Sequence, residues 1–123
     1  MDQVKKYSNN LLKIEIKEDN ETLVTTWIGK STDREPGKFI TPILMDTIKE
    51  ASDKNLRVIM DFRELSYMNS STITPLIKIL ERAQRGNTQI SVLYNKALHW
   101  QSLSFSALEI FMTKDQRVEI IGL

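Results

Sequence analysis

Three consecutive hydroxyl side chains, Ser70, Ser71 and Thr72, stand where an apolar helical stripe opens at Ile73 and continues through Leu76, Ile77, Leu80 and Ala83. Upstream, the apolar run Val58-Ile59-Met60 stops at an acid, Asp61, and a short turn leads to the hydroxyls. A hydroxyl at a helix start has two uses. Its oxygen can cap the helix by accepting from an unpaired backbone N–H of the first turn. Displayed on a turn between strand and helix, it also offers a kinase an acceptor for a phosphoryl group. Both uses stay open for Ser70, with Ser71 and Thr72 as weaker candidates for modification. Asp61 reads as a structural turn acid that accepts from backbone N–H groups.

Ser70, His99 and Asp61 are also the residue types of a nucleophile, a base and its orienter. Spacing argues against that reading. Ser70 is not in a GxSxG turn, no oxyanion loop is evident, and His99 opens a separate helical segment. A lone histidine and no cysteine supply no His-rich or thiolate metal site. Neither GxGxxG nor GxxxxGK(S/T) occurs, so no nucleotide-cradling loop and no cofactor are expected. The expectation is a binding protein, not an enzyme.

A chain of 123 residues forms one domain able to bury its own core. Its 41 % hydrophobic and 27 % charged residues place it among soluble globular proteins. A net charge of +1 creates no positive field to recruit nucleic acid or an anionic membrane. No apolar run approaches the roughly 18 residues of a spanning helix. The first ten residues lack the apolar core of a signal peptide, so a bacterial-type cytoplasmic location is expected.

Leu11 to Lys17 alternates apolar and polar residues, and Thr22 to Ile28 is rich in β-branched and aromatic ones. The polar turn 18–21 between them predicts an antiparallel pair. Gly29 to Gly37, with Arg34, is a surface loop. Phe39, Ile40, Ile43, Leu44, Ile48 and Ala51 set a helical stripe that Asn55 stops. Thr41-Pro42 suits a capped start for that helix, later than Pro36. Leu56 to Phe62 reads as a central strand covered on both faces or nearly so. A helix from about Ser71 to Arg85 ends at Gly86. Pro75 requires either a start near Thr72 or a distorted first turn. Gln89 to Tyr94 and Arg117 to Ile121 are strands. Between them a helical pattern, Ala97 to Met112, carries the stripe Trp100, Leu103, Ala107, Ile110 and Phe111. That stripe is core-facing first, and any exposed part of it suits a homodimer. The order β-β-α-β-α-β-α-β implies an α/β fold: a mixed sheet, mostly parallel with an antiparallel first strand, and helices packed on it. Residues 1–10 read as an N-terminal extension and 11–123 as a single domain.

From Leu11 to Ile121 this order, with the segment 61–80, resembles the STAS domain (sulfate transporter and anti-sigma factor antagonist). In the bacterial antagonists a strand ends in Asp, and an aromatic-apolar-Asp-Ser-Ser-Gly-Leu segment opens the next helix. Here that segment stands as Tyr67-Met68-Asn69-Ser70-Ser71-Thr72-Ile73. The resemblance implies that Ser70 is the phosphorylated serine and that Tyr67, Met68, Asn69, Ser70, Ser71 and Thr72 meet the partner. Arg34, on the neighbouring loop, joins that surface as a contact for an acidic partner or phosphate. The implied partners are a switch kinase of the anti-sigma factor type, which uses ATP, and a serine phosphatase that restores the unmodified form. Two positions depart from the pattern: Asn69 replaces the usual acid, and Thr72 the usual glycine, which makes the turn bulkier. The Leu65-x-Tyr67-x-Asn69-Ser70-Ser71 wording is also similar to small bacterial phosphoproteins whose partner is a diguanylate cyclase. A scaffold subunit or a ligand-binding STAS domain, with Ser70 as a cap only, is the alternative class.

Overall fold

A computed structural model describes residues 3–123. Three strands, β1 (Val4–Asn9), β2 (Leu12–Asp19) and β3 (Thr22–Ser31), form an antiparallel meander. Two-residue turns join them, each entered through an asparagine at positive φ: Asn10 at 55° and Asn20 at 54°. Asparagine tolerates that left-handed conformation better than most residues. β1 lies in the stretch read as an extension ahead of the domain. It is an edge strand that buries little, with only Tyr7 and Asn9 half-buried, so it leaves no apolar alternation to detect.

Beyond β3 the chain winds in one direction. β4 (Arg57–Asp61), β6 (Ile90–Tyr94) and β7 (Val118–Gly122) add in parallel, in the order β3-β4-β6-β7. The crossovers contain α1 (Gly37–Lys54), α2 (Ser70–Arg85) and α3 (His99–Ser106), the last continuing as a 3-10 helix, Ala107–Phe111. Right-handed crossovers that all step the same way land on the same side of a sheet. The helices therefore share one face, over buried Leu23, Trp27, Val58, Met60, Phe62, Ile90 and Val92. Val24, Ile59, Leu93 and Ile121 lie on the opposite face and are half-buried. At Ile59 this strand is covered on the helix side and only partly on the other. Strands on either side shield it laterally, which suffices for an apolar residue on a bare sheet face.

Three other expectations change. α1 begins at Gly37, so Thr41 is not its cap and Pro42 lies inside it, omitting only the bond to the Lys38 carbonyl. α2 runs unbroken from Ser70 through Pro75 at the same sixth position. The core stripe of the last helical segment is also different: Gln101, Phe105 and Leu108 are buried, while Leu103 is 62 % and Ile110 76 % exposed. The segment tightens into a 3-10 helix after Ser106, so a single 3.6-residue period does not hold across it.

A seventh strand, β5 (Leu65–Met68), bears most directly on the hydroxyl turn. β4 pairs with Thr22–Thr26 of β3; after the kink at Phe62-Arg63-Glu64, β5 pairs with Gly29–Ser31 farther along the same strand. β4 and β5 are thus two halves of one broken strand. The register shifts beside Gly29, whose φ is 95° and where a Cβ would lie 2.1 Å from the Leu11 carbonyl oxygen. Only glycine fits there. Beneath the kink, Phe62 packs between Trp27 and Phe105, with ring centroids 4.8 and 4.7 Å away.

Candidate functional site

β5 delivers the chain to the start of α2 with Tyr67 48 % exposed and Met68 half-buried. The cap of α2 is Asn69, not a hydroxyl residue. Its Oδ1 accepts from the Thr72 N–H at 3.1 Å and from the Thr72 hydroxyl at 2.8 Å. Its Nδ2 donates to the Asp33 backbone carbonyl at 2.7 Å. The Thr72 hydroxyl has one proton, given to Asn69, so the Ser31 hydroxyl 2.6 Å away is the donor in that pair. The Asn69 N–H donates to the Ser31 carbonyl at 3.0 Å, which closes the link between the end of β3 and the first turn of α2.

This network accounts for both departures from the antagonist pattern. An aspartate at position 69 accepts but cannot donate, and the Asp33 carbonyl needs a donor. A glycine at position 72 leaves Ser31 without its acceptor. Thr72 is fully buried, at 0 % exposure, with its hydroxyl engaged on both sides. It is therefore neither a modification site nor a partner contact, and its bulk points inward, away from the exposed turn.

Ser70 and Ser71 are exposed, and among the described residues their hydroxyls make no hydrogen bond. Their backbone N–H groups, the first two inside α2, also have no partner among the described residues. Arg34 is exposed on the loop between β3 and α1 and follows Asp33, whose carbonyl Asn69 holds. The Asp33 carboxylate in turn accepts from the side-chain amides of Asn9 and Asn10, which ties this loop to the first hairpin.

Asp61 sits at the end of β4. Its Oδ1 accepts from the Arg63 N–H at 3.1 Å, and its carboxylate takes the Arg63 guanidinium at 3.0 and 2.8 Å. Burial pushes this carboxyl up, but the hydrogen bonds from the Arg63 side chain and backbone outweigh it and hold the group below the ordinary aspartate value. The β4–β5 kink has a second anchor. Gln101, fully buried on α3, donates to the Phe62 carbonyl at 2.7 Å and the Leu65 carbonyl at 2.9 Å, and accepts from the Asn95 N–H at 2.7 Å. No hydrogen bond joins Ser70, His99 and Asp61; His99 is exposed at the start of α3.

Ser31, Asp33 and Gln101 were not singled out by sequence. The loop holding Asp33 was recognised as a neighbour of the turn, but its contact runs through a backbone carbonyl, which any residue supplies. Gln101 occupies a core position that apolar periodicity assigns to its neighbours. Among the described residues, no helix is long and apolar enough to cross a membrane.

No family model matches the chain, and no curated protein matches it either. Solved structures do. An anti-sigma factor antagonist from Mycobacterium paratuberculosis superposes with a TM-score of 0.57 at 14 % identity, over 86 % of this chain and 90 % of that one. SiaC of Pseudomonas aeruginosa gives 0.59 at 18 % identity, over 85 % and 90 %. An uncharacterized protein from Shewanella loihica with a SpoIIAA-like fold gives 0.52 at 19 % identity, over 94 % and 90 %. Together with the one-way winding of β3-β4-β6-β7 and the broken strand ahead of α2, these likenesses show that the chain has the STAS-like fold, of the SpoIIAA-like kind.

Proposed function

We propose that this chain is a partner-switching regulator that binds another protein through the turn from Tyr67 to Ser71 and releases it when Ser70 is phosphorylated. One observation carries the reading. Ser70 presents an exposed, unengaged hydroxyl beside two unpaired N–H groups at a helix start, while Asn69 does the capping that would otherwise occupy it. A phosphate on Ser70 adds about −1.5 to −2 charge. Within this chain the charge meets free donors and the positive end of the α2 dipole. A partner docked over the turn must instead desolvate a dianion, and a penalty of about 2.7 kcal/mol already lowers affinity roughly 100-fold. The fold tolerates the modification and the complex does not.

The implied partner is a switch kinase of the anti-sigma factor type, opposed by a serine phosphatase. Control of a diguanylate cyclase is a second reading, favoured by Asn69 in place of the acid immediately before Ser70. Both use the same hydroxyl and differ in the client. Incubation with ATP and candidate kinases, followed by peptide mapping, is expected to place one phosphate on Ser70 and none on Thr72. Calorimetric titration of the partner should then give wild-type affinity for Ser70→Ala and a loss of about 100-fold for Ser70→Asp. Equally tight binding by both variants would sink the release mechanism.

A further inference from the structure

α1 and α2 lie side by side on the sheet, and between their outer faces runs an open groove of about 570 Å³. Its floor is apolar: half-buried Met45 from α1, with Pro75 and Ile79 from α2. Its α2 wall is cationic, with Lys78, Arg82 and Arg85 against a single acid, Glu81. Glu81 is drawn to Arg85 at 3.8 Å. Among the described residues Lys78 and Arg82 have no carboxylate within 4.0 Å. The α2 dipole accounts for basic residues in its last turn, Arg82 and Arg85. It does not account for Lys78, one turn earlier. Elsewhere on this nearly neutral chain five lysines sit within 4.0 Å of an acid, as in the Lys5–Glu50–Lys54–Glu18 cluster, whereas Lys78 and Arg82 stand together on one wall without one.

We propose that this groove docks an acidic amphipathic helix of the partner protein. It rests on the reading of the chain as a protein-binding regulator and names the chemistry of what it binds. A trough between two packed helices accepts the ridge of a third. The wall from Pro75 to Arg85 is about 15 Å long at 1.5 Å per residue, which matches about three turns of partner helix. Apolar side chains spaced i, i+4 and i+7 rest on Met45, Pro75 and Ile79, and flanking carboxylates meet Lys78 and Arg82. The same helix α2 carries Ser70 at its other end, so a partner seated in the groove reaches the switch turn without a second element.

The probe is a fluorescein-labelled 18-residue helical peptide with leucines on one face and glutamates flanking them; its control has lysine at every glutamate. Anisotropy should show saturable binding of the acidic peptide, at least tenfold weaker binding of the control, and weakening as salt is raised. Amide chemical-shift changes should map to Met45, Lys78, Ile79 and Arg82. Lys78→Glu with Arg82→Glu, both exposed and outside the core, should lower affinity at least tenfold while the melting temperature falls only slightly, by the loss of Arg82 at the negative end of the α2 dipole. Ser70→Asp should leave peptide binding within twofold. Failure of Ser70→Asp to release the native partner therefore counts against the switch alone. No binding at millimolar peptide, equal binding of both peptides, shifts mapping elsewhere, or sedimentation showing that the groove is filled by a second copy of the chain would each overturn the docking proposal.

Discussion

Position 69 combines two roles that the usual acid cannot. As a cap it accepts from Thr72, and as an amide it donates to the Asp33 carbonyl. Replacing Asn69 with aspartate keeps the first role and gains a favourable charge at a helix start, about 0.5 kcal/mol. It loses one hydrogen bond and sets a carboxylate against a carbonyl oxygen, a loss of about 1–3 kcal/mol. The second effect is larger. Asn69→Asp should destabilise by about 1 kcal/mol in urea denaturation and Asn69→Ala by about 2. Asn69→Asp at wild-type stability would show that the Asp33 link contributes no more than the roughly 0.5 kcal/mol gained from the charge. Ser70, by contrast, makes no internal hydrogen bond, so Ser70→Asp should melt at or slightly above the wild-type temperature.

Two side chains far along the sequence from the hydroxyl turn fix the elements that present it. Gln101 ties α3 to the kink between β4 and β5 and to the loop after β6, with its oxygen and amide nitrogen both engaged. Leucine fills much the same volume but leaves the Asn95 N–H without its acceptor and strips a donor from the Leu65 and Phe62 carbonyls, the latter keeping only the Leu65 N–H. Gln101→Leu should cost about 3 kcal/mol and release the β5 amides to faster hydrogen exchange, with a smaller effect on β2. At the other end of α2, the Arg117 guanidinium donates to the carbonyls of Ala83 at 2.9 Å and Gln84 at 3.2 Å. α2 is thus held at its N-terminus by the Asn69–Thr72–Ser31 network and at its C-terminus from the start of β7. Both the hydroxyl turn and the groove beside α1 depend on that fixed axis.

Across the whole molecule, one-way winding puts all helices on one face, so helix starts and the grooves between helices crowd onto one side. Charge pairs hold the periphery. Asp115 accepts from the Thr113 side chain and from Arg117, which together hold its carboxyl at about 2, below the ordinary aspartate value of 3.8. Asp61 and Glu50 are lowered as well, Glu50 chiefly by hydrogen bonds from Lys5 and Lys54. A native carboxyl with a depressed pKa binds its proton less readily than the unfolded chain does. Its stabilisation is present above about pH 4 and is lost as pH falls toward about 2. The melting temperature should therefore drop through that window. Asp115→Asn should melt below wild type at pH 7, and the two curves should converge near pH 2. Parallel curves would remove Asp115 from the pH dependence.

Local pattern and short-range chemistry carried the three helical segments and five of the strands in order, the antiparallel β2–β3 pair and the stops at Asn55 and Gly86, because periodicity and turn residues act over a few positions. They also drew attention to the hydroxyls at the start of α2. Long-range pairing decided the rest. Whether Ser70 or Asn69 caps the helix depends on Ser31 and Asp33, brought there by the parallel pairing of β3 with β5. That Thr72 is sealed while Ser70 is open depends on which side of the first turn meets the sheet. β1 exists because main-chain edges pair whatever their side chains, and Gln101 is buried because the strand-kink carbonyls and the Asn95 N–H take partners from it there. Such contacts join residues dozens of positions apart, so their cause is visible only once the chain has closed on itself.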